Sequence, residues 1–247
     1  MIRPDPVRLS EARKAVLSEQ YDEGGIGTLS EKSLHKILKF YFEPRGACHE
    51  IPVSGVIADI KNEQGITEIQ TGSFERIREK LVRLLPEYPV NVVYPVITDR
   101  RLIWLDPETG ELTVPKKSPK HGRPSHVLVE LYHISDLLAD ENLKVTAVFL
   151  TADEYRYLDG RGPTRTKGAT KLQVIPNEIT GLAVISSVEE LASLLPDSLP
   201  DEFTRKEFDH ATGLRGRNAF YAIKCLTDRR IIERAGSRGR AYLYKRN

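Results

Sequence analysis

Long apolar runs are missing from this chain of 247 residues. None approaches the roughly 20 residues that a membrane-spanning helix needs. The first residues, Met1 to Pro6, lead into a charged stretch, whereas a secretory signal would continue with an apolar segment. Cysteine is scarce: Cys48 and Cys225 lie far apart and form no metal-ligand spacing. The sequence therefore predicts a cytoplasmic protein with no membrane partner, whose two thiols are reduced.

An excess of charge of one sign is also missing from the chain as a whole, because its net charge is only +2. The distribution is uneven, however. Residues 198–247 hold twelve Lys or Arg and six Asp or Glu, a net charge of +6, whereas residues 1–197 carry a net charge of −4. A basic C-terminal module on a slightly acidic body indicates that the module faces a polyanion.

Acidic residues in two neighbouring predicted strands are the most informative pattern that is present. Asp59 lies in the strand 56–62 and Glu68 in the strand 66–71, and a bend ending at Gly65 joins the two as a hairpin. Strand side chains alternate between faces, so Glu68 and Gln70 share one side. Two carboxylates on one sheet surface repel each other unless a cation lies between them. Their hard oxygen atoms suit Mg²⁺ or Mn²⁺.

This pattern resembles the PD-(D/E)xK nuclease superfamily over about residues 30–96. Ala58-Asp59 stands where that family often has Pro-Asp, and Glu68-Ile69-Gln70 stands where it has Glu-x-Lys. The resemblance implies a restriction-endonuclease-like αβββαβ core with a mixed sheet. It also implies that Asp59, Glu68 and the backbone carbonyl of Ile69 bind the metal, and that Gln70 takes the position of the water-orienting lysine.

A further acid from the first helix of the core is frequent in that family. Glu31 fits because it lies three residues before Leu34 on the apolar face of the predicted helix 31–42. Glu50, in the preceding strand 47–53, is the competing candidate. The glutamine at position 70 is a departure from the family pattern, because an amide positions a water molecule but cannot act as a cation or a base.

The sequence of the C-terminal module predicts a helix, a turn, a second helix and a hairpin. Thr204 caps a helix that ends before Gly213, a second helix covers about 217–228, and two strands flank an arginine-tipped turn. This order resembles a winged helix, in which the second helix enters the major groove of DNA. The residues that would contact DNA are Arg217, Asn218, Tyr221 and Lys224 on that helix, and Arg234, Arg238 and Arg240 on the wing.

The sequence thus predicts an α/β protein of two principal domains that acts as a Mg²⁺-dependent (or Mn²⁺-dependent) DNA endonuclease on duplex or branched DNA. A catalytically inactive, DNA-binding regulator with the same fold is the alternative, a protein-interaction scaffold is the third hypothesis, and a homodimer is left open. The predicted divisions are an N-terminal helical extension (1–29), a nuclease-like domain (30–160), a basic loop with a linker helix (161–197) and a winged-helix domain (198–247).

Overall fold

The computed structural model describes residues 3–22, 33–106, 108–157, 159 and 169–247, with the backbone only for 19–22. Glu31 and most of the basic loop that begins the predicted linker lie outside these residues. None of the described helices is both long enough and apolar enough to cross a membrane. The described helices are α1 (Pro6–Asp22), α2 (Ser33–Phe42), α3 (Arg78–Leu84), α4 (Val127–Leu131), α5 (Val188–Ala192), α6 (Arg205–Thr212) and α7 (Gly216–Asp228).

The protein is of the α/β class and contains a mixed sheet of seven strands, as well as a second sheet of three. The strands are β1 (His49–Val53), β2 (Val56–Asn62), β3 (Gly65–Ile69), β4 (Val90–Leu105), β5 (Lys116–Lys117), β6 (Leu143–Tyr157), β7 (Thr170–Ile185), β8 (Glu202–Thr204), β9 (Ile232–Arg238) and β10 (Ala241–Arg246). The large sheet has the order β1-β2-β3-β4-β6-β7, and β5 pairs with β4. The small sheet has the order β8-β10-β9.

The chain divides into two compact units that are discontinuous in sequence. The first comprises Met1–His49, Ile97–Gly122 and Val148–Leu182. The second comprises Glu50–Val96, Arg123–Ala147 and Ala183–Asn247. Both predicted site acids on β2 and β3, and the whole basic C-terminal segment, therefore belong to the second unit.

Helices α1 and α2 pack together in the first unit. Val16 of α1 and Ile37 and Leu38 of α2 are fully buried, and the Arg8 guanidinium donates to the Phe42 carbonyl at 2.9 Å. Charged side chains of the same unit form an ion-pair network around the buried Glu154, which accepts from Arg100 at 2.6 Å and also pairs with Arg156. This network accounts for the buried acid without requiring a ligand.

The second unit contains the predicted hairpin. Strands β2 and β3 are antiparallel, with Ile60 opposite Thr67, and Gly65 takes a φ of +116° at the end of the turn. A Cβ atom there would lie 2.3 Å from the Pro89 carbonyl oxygen, so only glycine fits. Strand β3 is parallel to β4, and a parallel pair needs a crossover, which α3 supplies.

The C-terminal elements form a three-stranded sheet with α6 and α7. Thr204 and Glu207 make a reciprocal capping box at the start of α6, and Gly213 ends that helix with a φ of +76°. The Arg246 guanidinium donates to the Leu199 carbonyl at 2.7 Å and to that of Pro196. The segment before this sheet is therefore held by direct hydrogen bonds.

Three stretches differ from the sequence-based expectation. The sequence predicts a strand over 90–96 and a hairpin that pairs 102–105 with 111–114. In the structure β4 runs from Val90 to Leu105 and pairs with β5, while Leu112 forms an isolated bridge with Leu105 and the Thr113 NH donates to the Trp104 carbonyl at 2.9 Å. The sequence also predicts a helix over 126–140, where the structure has the short α4 with 3₁₀ turns around it. Strand β7 was not anticipated, because alternation of apolar and polar residues is weak where both faces are partly covered.

Candidate active site

Asp59 and Glu68 lie next to each other on β2 and β3. The backbone NH of Asp59 donates to Oε1 of Glu68 at 3.3 Å. The backbone NH of Ile69 donates to Oδ2 of Asp59 at 2.7 Å. Each carboxylate is thus oriented by the backbone of the opposite strand, and the predicted meeting of these two acids is what the hairpin register produces.

Glu68 lies in a poorly solvated position, since the residue is only 3% exposed. Burial, together with the negative charge of Asp59, raises the pKa of its carboxyl group from an ordinary value of 4.5 to about 7. The ammonium group of Lys80 opposes this shift but does not cancel it. The carboxyl group of Glu68 therefore keeps its proton up to about pH 7. Once it ionises, Asp59 and Glu68 carry one more charge than Lys80 neutralises, which favours cation binding.

Lys80 of α3 is the third charged member of the site. Its Nζ atom lies 2.5 Å from Oε2 of Glu68, and its side chain is 22% exposed. Helix α3 is fixed on the sheet by the buried side chains of Leu81 and Leu84. The sequence predicts Ser73 as the cap of a helix over 74–85. In the structure its hydroxyl accepts from the Glu75 NH at the start of the 3₁₀ turn that precedes α3. These contacts direct Lys80 towards the acid pair.

Gln70 is placed differently from its predicted role. Its side-chain Nε2 donates to the carbonyl of Ser73 at 2.7 Å, and its backbone NH donates to the carbonyl of Val93 at 2.9 Å. The side-chain amide thus stabilises the turn between β3 and the following helix. The side chain that brings a cation into contact with the acid pair is Lys80.

Glu50 is exposed at the start of β1 and has a φ of +54°. Within the described part of the chain, no group of three or more His, Cys, Asp or Glu side chains is arranged to hold a metal. Glu50 therefore does not join Asp59 and Glu68 as a third acidic ligand in this arrangement. The two carboxylates alone are hard oxygen donors of the type that Mg²⁺ or Mn²⁺ prefers, so the donor chemistry fits such an ion.

The predicted DNA-contacting residues of α7 divide into two groups. Arg217 and Asn218 are exposed near the start of the helix. Tyr221 stacks on Tyr132, with ring centroids 4.6 Å apart and planes inclined by 10°. Lys224 is exposed but forms an ion pair with Asp228 one turn later. Arg217 and Asn218 are therefore accessible to a partner, whereas Tyr221 packs within its own unit.

The wing residues are exposed, and two have partners. The guanidinium of Arg234 lies 3.4 Å from the ring centroid of Tyr242, and Arg238 forms an ion pair with Glu207 at 3.0 Å. Arg240 lies in the turn between β9 and β10 and is exposed. Solvent-exposed pairs of this kind are weak, so these cations remain available to phosphate groups.

The sequence places Lys80, with Arg76, Arg78 and Arg83, on the face of the predicted helix 74–85 that lies opposite its apolar stripe. This pattern predicts a solvated face and misses Lys80 as a site residue. The sequence does contain a feature that points to Lys80. Lys80 lies three residues after Ile77 and four before Leu84, both of which belong to the buried stripe, so it borders the side of α3 that packs on the sheet. Helical spacing alone could not show which sheet residue it would meet.

Comparisons with known proteins give a family but no activity. The model of the family described as "Domain of unknown function (DUF8091)" matches residues 32–186. The chain is 34% identical over 229 residues to an uncharacterized protein of Treponema pallidum (strain Nichols), and the match covers 90% of this chain and 87% of that protein. No solved structure matches the chain.

Proposed function

The chain belongs to the DUF8091 family, and we propose that it is a metal-dependent DNA endonuclease whose active site contains Asp59, Glu68 and Lys80. The observation that carries the proposal is the contact between two carboxylates, one of them buried with its pKa raised to about 7, beside a lysine ammonium. Perturbed carboxyl groups of this kind are typical of functional sites.

The order of elements around the acids supports this assignment. Along the chain, α2 is followed by β1, β2, β3, α3 and β4, which is the αβββαβ order of the PD-(D/E)xK nucleases that the sequence resembles. The parallel pairing of β3 with β4 gives the mixed sheet of that core. We propose a nuclease-like core on this basis.

Each polar group of the site has a distinct role in the proposed reaction. A Mg²⁺ or Mn²⁺ ion bound here would supply charge stabilisation at the scissile phosphate and would lower the pKa of a coordinated water. Asp59 and Glu68 would hold this ion, assisted by the backbone carbonyl of Ile69. Lys80 favours the ionised form of Glu68 and places positive charge where phosphate oxygens approach.

Gln70 and the additional acids have secondary roles in this proposal. To orient a water molecule, the Gln70 amide would have to leave the Ser73 carbonyl. We therefore assign the cationic role of the family's lysine to Lys80 and a supporting role to Gln70. Glu50 or Glu31 would act only through a second ion or a bridging water.

The C-terminal segment would provide the affinity for DNA. The order β8, α6, α7, β9 and β10 is compatible with a winged helix, and its basic residues include the exposed Arg217 and Arg240. Phosphate neutralisation by such cations supplies most sequence-independent affinity for DNA. We propose that α7 and the wing hold duplex or branched DNA while the acid pair cleaves it.

The test is cleavage of plasmid and branched DNA in Mg²⁺ or Mn²⁺. Asp59→Asn, Glu68→Gln and Lys80→Met should each lose most of the activity, because each removes a charge from the site while keeping its approximate volume. Glu79→Gln is the matched control, since it removes an exposed carboxylate from the same helix as Lys80. Equal cleavage by all of these proteins would refute the proposal.

A catalytically inactive, DNA-binding regulator is the second candidate. It is favoured by the Lys80 ammonium, which already neutralises part of the acid pair, and by the engagement of Gln70 in a turn. In that case the ion pair would have a structural role in place of a metal. Tight, salt-sensitive DNA binding with no cleavage in Mg²⁺ or Mn²⁺ would favour the regulator.

A further inference from the structure

The packing around Tyr221 joins the C-terminal segment to the helix that carries Lys80. Tyr221 of α7 stacks on Tyr132 at 4.6 Å and meets His133 edge to face at 5.3 Å. The carbonyl of His133 accepts from Nη1 of Arg78 at 3.4 Å. Arg78 belongs to α3, two residues before Lys80, so one short series of contacts runs from α7 to the acid pair.

A bidentate ion pair connects α3 to the segment after α4. Nη1 and Nη2 of Arg78 lie 2.5 Å and 2.6 Å from the two carboxylate oxygens of Asp136. These side chains are 39% and 59% exposed, but their two parallel hydrogen bonds fix orientation as well as distance, which the single contact of Arg238 with Glu207 does not. The contact raises the pKa of Arg78 and lowers that of Asp136, so both groups stay charged over the working pH range.

The connection between α4 and the C-terminal helices is mainly apolar. Helices α4 and α7 pack against each other, with Leu128 and Leu131 on one side and Ala222 and Leu226 on the other fully buried. The Ser125 hydroxyl donates to the Thr212 carbonyl at 3.3 Å in the same buried region. Close-packed side chains of this kind hold α4 and α7 in one relative position, because they cannot deform freely.

We propose that Tyr132, Tyr221, Arg78 and Asp136 form a rigid joint that makes Tyr221 a positioning residue for the active site. The inference rests on the proposed function. A flexible tether would let the C-terminal segment hold DNA at many orientations relative to Asp59 and Glu68. The joint holds α7 at a fixed distance from α3, so that bound DNA is presented to the acids in one geometry.

The distance between α3 and α7 tests the joint independently of catalysis. Spin labels at Val82→Cys and Phe220→Cys would report it, since these side chains are 51% and 52% exposed. The background is the full chain with Cys48→Ser, and Cys225 is buried. We expect one narrow distance distribution, unchanged by DNA, that broadens in Tyr221→Ala and in Arg78→Met. Tyr221→Phe and Arg83→Met are the matched controls and should remain narrow.

Measurements of DNA binding and of DNA cleavage then distinguish an effect on the positioning of DNA from an effect on the affinity for DNA. In Tyr221→Ala, the Kd for a short DNA duplex in EDTA should change little, whereas the single-turnover cleavage rate should fall at least about tenfold, because small misplacements of reacting groups are costly. A broad distribution in the unmutated background, a narrow one in Tyr221→Ala, or an unchanged cleavage rate would overturn the joint. Absence of cleavage by the wild type would instead refute the endonuclease, while the joint would stand on the distance measurement.

Discussion

Replacing Glu68 by Gln should change how the stability of the protein depends on pH. The pKa of this carboxyl group is about 7 in the folded protein, against an ordinary value of 4.5. Between these two values the unfolded chain has already lost the proton that the folded protein keeps. The free energy of unfolding therefore falls as the pH rises from 4.5 to 7.

The size of this effect follows from the same values. At about 1.4 kcal/mol per pH unit, a pKa raised from 4.5 to about 7 corresponds to about 3 kcal/mol of stability lost above neutral pH. Glutamine cannot ionise, so Glu68→Gln lacks this loss. The substitution also removes the ion pair with Lys80, which adds an offset to the stability of the variant. The change with pH of the stability difference between variant and wild type isolates the contribution of the carboxyl group.

The assay is urea unfolding of the wild type and of Glu68→Gln at several pH values from about 4.5 to about 8. We expect the stability of the variant relative to the wild type to increase by about 3 kcal/mol across that range. Glu79→Gln, which removes an exposed carboxylate from the same helix, is the matched control. A flat difference for Glu68→Gln would refute the assignment of a desolvated, partly uncompensated carboxylate at this position.

Two other substitutions test separate parts of the account. Arg217→Ala should weaken DNA binding and reduce the slope of log K against log salt concentration, measured by fluorescence anisotropy, by about 1. Arg76 is an exposed cation outside the C-terminal segment, so Arg76→Ala should leave this slope unchanged. Gly65→Ala should destabilise the protein by about 3 kcal/mol or more, because the new Cβ atom would clash with Pro89. Gly55→Ala is the control and should cost only about 1 kcal/mol, because the space around Gly55 is open. Urea unfolding measures both.

The elements with strong local signals could be predicted from the sequence. Alternating residues, a turn glycine at position 65 and the Ser73 cap located the hairpin and the start of the segment leading into α3. Thr204 and Gly213 marked both ends of α6. The approach of Asp59 to Glu68 also followed, because an antiparallel hairpin with a short turn leaves little freedom of register.

The features that depend on tertiary packing could not be predicted. Lys80 contacts Glu68 because α3 crosses over the sheet at one particular angle, which helical spacing does not determine. Tyr221 has the spacing of an outward-facing residue, yet it packs on Tyr132 because α4 covers that side of α7. Strand β7 pairs with β6, the preceding strand, but it is partly covered on both faces, so its sequence lacks the clear alternation that marks a strand.

The most direct test of the central claim is a calorimetric titration of the protein with Mn²⁺. The account predicts binding to the wild type that strengthens as the pH rises through about 7, because the metal competes with a proton on Glu68. Asp59→Asn should give no specific heat of binding, whereas Glu79→Gln should behave as the wild type does. Equal Mn²⁺ binding by Asp59→Asn and the wild type, or no binding by any of them, would contradict a metal-dependent site at Asp59 and Glu68.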